Sequence, residues 1–497
     1  MLPLGLERIG LFGQSQANGL VVRRAGDGDV SFHSPAVRHF EVPLPVPPVL
    51  QPIARDATTD YYEVSMRQAT QQILPGLTTS IWGYNGLYPG PTIEARRGRR
   101  AVVKQTNQLP EAMSVHNHGG VTPPEHDGYA ENITLPGRGT LPTLIQPGGS
   151  WTYEYPNQQA ACTNWYHDHA VHTTAEHVYR GLAAVYLVRD DLESSFNLPQ
   201  GPFEVPLVFQ DRLFDATGAL VYNNNNHSGV VGDIQLVNGA PWPRLQVAAR
   251  KYRFRLLNGS NWRRYELRLS TGQPFIQIGT ESGFLRAPQS LPMLRLYQAE
   301  RADVVVDFSG VPVGSTVILQ NGSAEAFGTG MADVMAFEVV RTAADDSQVP
   351  ATLAQFEDLT TPEAIARVSV RRQFKFDKSN EIWVINDHTW DTNRFEANPR
   401  LGTTEIWEFL GGSGWYHPIH VHLIDFQILD RNGNPPALWE RGRKDTVALG
   451  EGENARVIIK WDPQQYLGFT GPYMIHCHNV DHEDHDMMAQ YNLLPAA

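Results

Sequence analysis

The strongest constraint on this chain is that it repeats itself. The stretch WGYNGLYPGPTIEARRGRRAVVKQTN, built on Asn85-Gly86 with Pro89 and Pro91 behind it, returns as LVNGAPWPRLQVAARKYRFRLLN on Asn238-Gly239, Pro241 and Pro243. A weaker third copy runs from WVINDHTWD to GTTEIWEFL around Asn386, and the three turns lie 153 and then 148 residues apart. Each copy reads as a strand, a tight Asn-type turn, and a strand with one buried face, as in the alternation of Tyr252, Phe254 and Leu256. The 497 residues match three domains of roughly 150, and 43 Gly with 35 Pro favour many turns over long helices. An all-β chain of three consecutive β-sandwich domains is expected.

Charge and proline replace periodicity at the boundaries. These give an extended N-terminal arm over 1–50, a first domain over 51–192, a second over 193–345, a linker over 346–366 and a third domain over 367–497. The asparagine tract 223–226 reads as a loop tip. Four Asn-X-Ser/Thr sequons, at Asn132, Asn226, Asn258 and Asn321, are read as chance occurrences.

Several classes of function are excluded. Asp and Glu number 53 against 40 Lys and Arg, and this net −13 is spread along the chain, so neither nucleic acid nor an anionic membrane is an expected partner. No apolar run approaches the roughly 20 residues of a membrane span. Two cysteines, Cys162 and Cys477, rule out a disulfide scaffold. Glu7 and Arg8 interrupt the opening residues, so no secretory leader is readable.

Ten of the eighteen histidines fall in four clusters, all in the first and third repeats: His116-Asn117-His118, His167-Asp168-His169, His417-Pro418-Ile419-His420-Val421-His422, and His476-Cys477-His478 followed by His482. Side chains at i and i+2 of a strand share a face, about 7 Å apart, so each His-X-His offers two imidazoles to one site. The pair-to-pair gaps, 49 residues from His118 to His167 and 54 from His422 to His476, suggest two halves facing each other. Eight imidazoles would then surround one site between repeats one and three.

The same alternation turns Cys477 away from the imidazoles of His476 and His478, which implies a second site one residue away. Cys477, His417, His482 and Met487 make up the His₂Cys set with a distant axial Met of a blue-copper electron-transfer centre. Met488, beside Met487, is the alternative axial residue or core. Imidazole and thiolate exclude magnesium and calcium, and zinc gives no reason for a methionine. His126, His172, His177, His388 and His485 join none of these pairings, and Cys162 reads as a small buried residue.

The segments DGYAENITLPG, WYHDHAVHTTAEHVYRG, GWYHPIHVH and HCHNVDHEDHDMM resemble those of the multicopper oxidases, in the branch of bilirubin oxidases and spore-coat-type laccases, and the likeness runs from about residue 40 to 495. The resemblance implies three cupredoxin-like Greek-key domains, with a blue type 1 copper in the third and a trinuclear cluster between the first and third. Four coppers per chain are implied, one type 1, one type 2 and two type 3. His116 and His420 would hold the type 2 ion, and His118, His167, His169, His422, His476 and His478 the type 3 pair. Asp127 and Glu483 match positions that relay protons in the family. Trp415, two residues before His417, is expected to line the donor pocket. Asn117 departs from an apolar residue the family often has there, and Asp486 from a glycine common in laccases.

The implied activity is oxidation of phenols, aromatic amines or tetrapyrroles such as bilirubin, one electron at a time, coupled to reduction of dioxygen to water. A metallo-oxidase acting on Cu(I) or Fe(II) is the alternative, weakened because the nine methionines form no run. A copper-free scaffold would have lost ligands, and none is missing. A monomer is expected, with extracellular, periplasmic or spore-coat placement favoured by the resemblance.

Overall fold

A computed structural model describes residues 34–222, 227–326, 330–412 and 415–497, with the short strands Gly13–Gln16 and Gly19–Val21. Most of the N-terminal arm up to residue 33, the 223–226 tract and the sequon residue Asn226 therefore lie outside the described residues. The chain is mostly β, and the longest helix among the described residues is the seven-residue Thr174–Arg180. No helix there is long and apolar enough to cross a membrane.

Three pairs of sheets are stacked along the chain. In each pair, inward residues of both sheets form one core: Val64, Val103, Tyr166 and Tyr186 in the first, Phe209, Leu256, Leu267 and Phe337 in the second, Trp407, Phe409, Ile419 and Ile475 in the third. The repeat seen in the sequence is a repeat of one hydrogen-bonded device. Asn85, Asn238 and Asn386 adopt φ of 53°, 50° and 54°, the left-handed region that Asn tolerates better than other side-chain-bearing residues. Each then turns its Oδ1 onto the preceding strand, accepting from the backbone N–H of Ser65 (2.9 Å), Val208 (2.8 Å) and Lys375 (2.9 Å) respectively. The next residue also has positive φ, as Gly86, Gly239 and, in the weaker copy, Asp387. In every copy the strand gripped by the asparagine pairs in parallel with a later one: Thr59–Gln71 with Arg100–Asn107, Glu204–Arg212 with Lys251–Asn258, and Val370–Ser379 with Thr404–Gly411.

The described part of the arm, 34–50, crosses from the middle sandwich to the first. Leu44 donates to the Arg244 carbonyl and Leu50 to the Thr92 carbonyl, each at 2.8 Å, and Leu44 is buried in the middle core. Residues 346–361 carry no regular element, and Leu353 and Ala354 bond the backbone of Arg286 and Leu285. Of the described sequon residues, Asn258 and Asn321 are buried and Asn132 is exposed.

Asn238 also donates to the Pro45 and Pro206 carbonyls, at 2.9 Å each. Asn238→Ala is expected to lower unfolding free energy by about 2–3 kcal/mol, from left-handed backbone strain and lost hydrogen bonds. Asn238→Gly, which removes the strain but not the lost bonds, should cost about 1 kcal/mol less. Equal losses in denaturant unfolding would show that backbone conformation is not what the asparagine supplies.

Candidate metal centre

The histidine clusters lie on strands whose register brings them together. Val115–His118 pairs antiparallel with Cys162–Asp168, placing His116 opposite His167. His417–Val421 pairs with Gly471–Cys477, placing His420 opposite His476 and Ile419 opposite Cys477. The two strand pairs meet across the junction of the first and third sandwiches. There His116, His118, His167, His169, His420, His422, His476 and His478 are all buried.

Within this cage, His116, His118 and His420, then His118, His167 and His478, then His169, His422 and His476 form groups whose ring nitrogens lie within 4.8 Å of one another. His116 Nε2 lies 3.3 Å from His420 Nε2, and His476 Nε2 lies 3.2 Å from the Nε2 atoms of both His169 and His422. The other nitrogens are tied outward. The Asp127 carbonyl accepts from His116 Nδ1, and the Asp168 carbonyl from His167 Nδ1 at 2.8 Å. The Asp445 carbonyl accepts from His420 Nδ1 at 2.9 Å, and Asp127 Oδ2 lies 2.7 Å from His422 Nδ1. Such anchoring fixes both tautomer and ring direction, as around metal-ligating histidines.

Burial first, and then repulsion between neighbouring imidazoles, pushes His116, His118, His420, His422 and His478 well below the usual histidine value and His167 to about 3. These six rings are therefore held as neutral imidazoles, the form that binds metal. His118 Nδ1, His167 Nε2 and His478 Nε2 are buried with no hydrogen-bond partner. Orphaned lone pairs converging in a dry interior are costly unless a cation receives them, so the residues present fit a bound metal.

Alternation splits the strand end as expected. While His476 and His478 face the cage, Cys477 Sγ lies 3.6 Å from His417 Nδ1 and 3.7 Å from His482 Nδ1. His482 sits on the short helix Val480–Glu483 and stacks on Trp383, with ring centroids 3.8 Å apart. The loop closes through the Met487 N–H on the His482 carbonyl (3.0 Å) and the Cys477 N–H on the Met487 carbonyl (3.1 Å). Met487 is buried in the same core as Cys477, whereas Met488 packs into a separate cluster with Tyr129 and Ile133. Asp486 has φ of 72°, the conformation that a glycine suits and that an aspartate adopts here despite its side chain. Burial raises the Cys477 thiol well above its usual value, so a cation would be needed to make it a thiolate.

The two acids flank the cage differently. Burial raises Asp127 well above the usual carboxyl value, against one bond from Thr122 Oγ1 at 3.1 Å. For Glu483, burial acts upward, but the imidazoles of His476, 3.1 Å away, and His169, 3.5 Å away, outweigh it and hold the carboxyl at about 2. Trp415 is half-buried against the core of the thiol site, edge-on to His482 at 5.7 Å and to Trp383 at 5.8 Å.

Some supporting residues escaped the sequence reading. Asp445, Trp383 and the pair Asp168–His177 all touch the candidate ligands or their strands; the only signal was a charged residue inside apolar runs, as in KDTVAL and His-Asp-His. Asp168 points away from the cage, accepts from the Ser114 N–H at 2.8 Å and holds His177 Nδ1 at 2.7 Å. Burial alone would lower His177, but Asp168 and Glu111 reverse this and push it up to about 9. Its charged form therefore stabilises the fold fully below pH 6.5, and that contribution is lost as pH rises through about 9. The stability difference between the protein and His177→Gln should be on the order of 3 kcal/mol at the acid side of this window and should close above it. A difference in thermal unfolding that does not change with pH would contradict the charged pair.

Two family profiles, each described as multicopper oxidase, match the chain, one over residues 65–193 and the other over 361–496. A bilirubin oxidase of Albifimbria verrucaria is 39% identical over 492 residues, covering 92% of this chain and 82% of that protein. A laccase of Bacillus subtilis (strain 168) is 34% identical over 509 residues, covering 90% and 96%. The crystal structure of a multi-copper oxidase from Pediococcus acidilactici superposes with a TM-score of 0.83 at 30% identity, covering 95% of each chain.

Proposed function

The chain belongs to the multicopper oxidase family, and on that premise we propose that it takes single electrons from a phenol, aromatic amine or tetrapyrrole and uses four of them to reduce dioxygen to water. One observation carries this: the tripeptide His476-Cys477-His478 serves two sites at once, with its thiol among His417 and His482 and its imidazoles in the cage. We assign Cys477, His417, His482 and Met487 to one copper of type 1, and His116 with His420 to a second of type 2. His118, His167 and His478 would hold a third, and His169, His422 and His476 a fourth, as the type 3 pair. Copper bound in these places would supply a one-electron acceptor near the donor and, one electron from each of the four ions, the four electrons that dioxygen requires.

The chain's own residues keep the two chemistries apart. Cys477 and its flanking histidines form a covalent path between the sites, while the buried cage excludes water from the half-finished reaction. Asp127 and Glu483 border the cage and are the acids placed to move protons into it. The half-buried rings of Trp415, 5.7 Å from His482, and Tyr416, next to His417 in sequence, backed by the buried Trp262, suit a flat π donor. A Cu(I) or Fe(II) donor is not favoured: Met66, Met113, Met331, Met335, Met474 and Met488 are all buried in cores rather than gathered at a metal entrance. Both sites lie on a single chain, so a monomer suffices; secretion or a spore coat would suit an enzyme of this kind.

Cys477→Ser should abolish the blue absorption and donor oxidation while keeping the cage's copper, because serine is a poor partner for copper at this site and the imidazoles face the other way. Folded protein stripped of all copper would show that the sites are not separable by face. Asp127→Asn should slow dioxygen reduction by about 10²-fold and leave anaerobic bleaching of the blue band by donor nearly unchanged in stopped-flow absorbance. Slower bleaching alone would make Asp127 a donor-site residue. Oxygen uptake across bilirubin, phenols, aromatic amines, Cu(I) and Fe(II) tests the donor class, and uptake with the metal ions alone would overturn it.

A further inference from the structure

The middle sandwich supplies none of the candidate ligands, yet one of its side chains reaches the cage. We propose that Arg301 is a positioning residue for the cage, acting through Asp445; this rests on the copper assignment above. Arg301 opens the strand Arg301–Asp307. Its Nη1 donates to Asp445 Oδ1 at 2.7 Å and its Nη2 to Oδ2 at 2.6 Å, a bidentate pair with side chains 0% and 1% exposed. Its Nε donates to the Thr163 carbonyl at 2.9 Å, on the strand that carries His167. One guanidinium thus joins all three sandwiches at the wall of the cage.

Asp445 in turn selects the coordinating nitrogen of two imidazoles. Its carbonyl takes His420 Nδ1 at 2.9 Å, leaving Nε2 toward His116. Its Oδ1 lies 3.2 Å from His118 Nε2 and accepts from Thr446 Oγ1 at 2.9 Å. With His118 Nε2 engaged, the orphaned Nδ1 is the atom left to face His167 and His478. The two rings are therefore presented through different nitrogens, and one aspartate sets both. Lysine could not replace Arg301, since an ammonium has no planar fork to hold both carboxylate oxygens and the Thr163 carbonyl. The residue after His118 keeps the space open. Gly119 has φ of 89°, and a Cβ there would lie 2.6 Å from Arg301 Nη2 and 2.9 Å from Asp445 Oδ2.

The same interface contains a control, Glu281, which accepts from the Arg301 backbone N–H at 3.4 Å but leaves the guanidinium on Asp445 and Thr163. Lys444 Nζ, next in sequence to Asp445, pairs with Glu281 Oε1 at 2.6 Å and Glu300 Oε1 at 3.2 Å. If Arg301 were only an interface staple, Glu281→Gln would imitate its loss. Copper-loaded wild type, Arg301→Gln, Arg301→Lys and Glu281→Gln are compared by copper retained after dialysis against a chelator and by the electron paramagnetic resonance spectrum of the type 2 ion, with the blue band as internal reference. Arg301→Gln should release cage copper about 10- to 100-fold more readily, with an altered type 2 spectrum and an unchanged blue band. Arg301→Lys should do the same to a smaller extent and serves alone if Arg301→Gln does not fold. Glu281→Gln should melt earlier but keep the wild-type spectrum and retention. The proposal is overturned if the Arg301 variants match wild type in both readouts, or if Glu281→Gln reproduces their change. Wild type that takes up no copper would instead overturn the copper assignment itself.

Discussion

Everything distinctive in this structure depends on the alternation of side chains along one strand end, His476-Cys477-His478. A β-strand sends successive residues to opposite faces, so three residues can belong to two chemical sites without any loop between them. The thiol joins a core of tryptophans, Ile419 and Met487, while its neighbours join the eight-imidazole cage. The Asn turns and parallel strand pairs shape each sandwich, the arm ties the middle one to the first, and Arg301 joins all three beside the cage.

A cage of eight buried imidazoles is a poor core on its own terms. Each ring has one nitrogen held by a carbonyl or carboxylate where such a partner exists, and the other faces its counterparts across the cage. Without a cation, the convergent lone pairs remain unsatisfied in a medium that penalises this heavily. Folding energy from the three surrounding sandwich cores supports the arrangement, and bound metal would repay the cost directly. Glu483 and Asp127 show how position tunes otherwise similar acids. Glu483 lies between two imidazoles and is held low, whereas Asp127 is dominated by burial and sits high.

Much of this was legible in the sequence because it follows from period and spacing. The repeat of Asn85, Asn238 and Asn386 identified the three sandwiches, and His-X-His with His-Cys-His specified which side chains share a face. Met487 packs in the core that holds Cys477, and Met488, which opens the next strand, packs elsewhere. What escaped were contacts between distant segments. Asp445 is 25 residues from His420 and far from His118, Arg301 belongs to the repeat without ligands, and Trp383 comes from a strand nearly a hundred residues before His482. No periodicity links such partners; only the packing of three sandwiches brings them together. Asp486 was visible as an oddity, but its positive φ was not.

The most direct test of the central claim is anomalous scattering at the copper edge from crystals of the copper-loaded protein. A density bounded by Cys477, His417, His482 and Met487 is expected, separated by the strand from a distinct group bounded by the eight imidazoles. A single continuous site, or a cysteine sulfur turned into the imidazole cage, would contradict it.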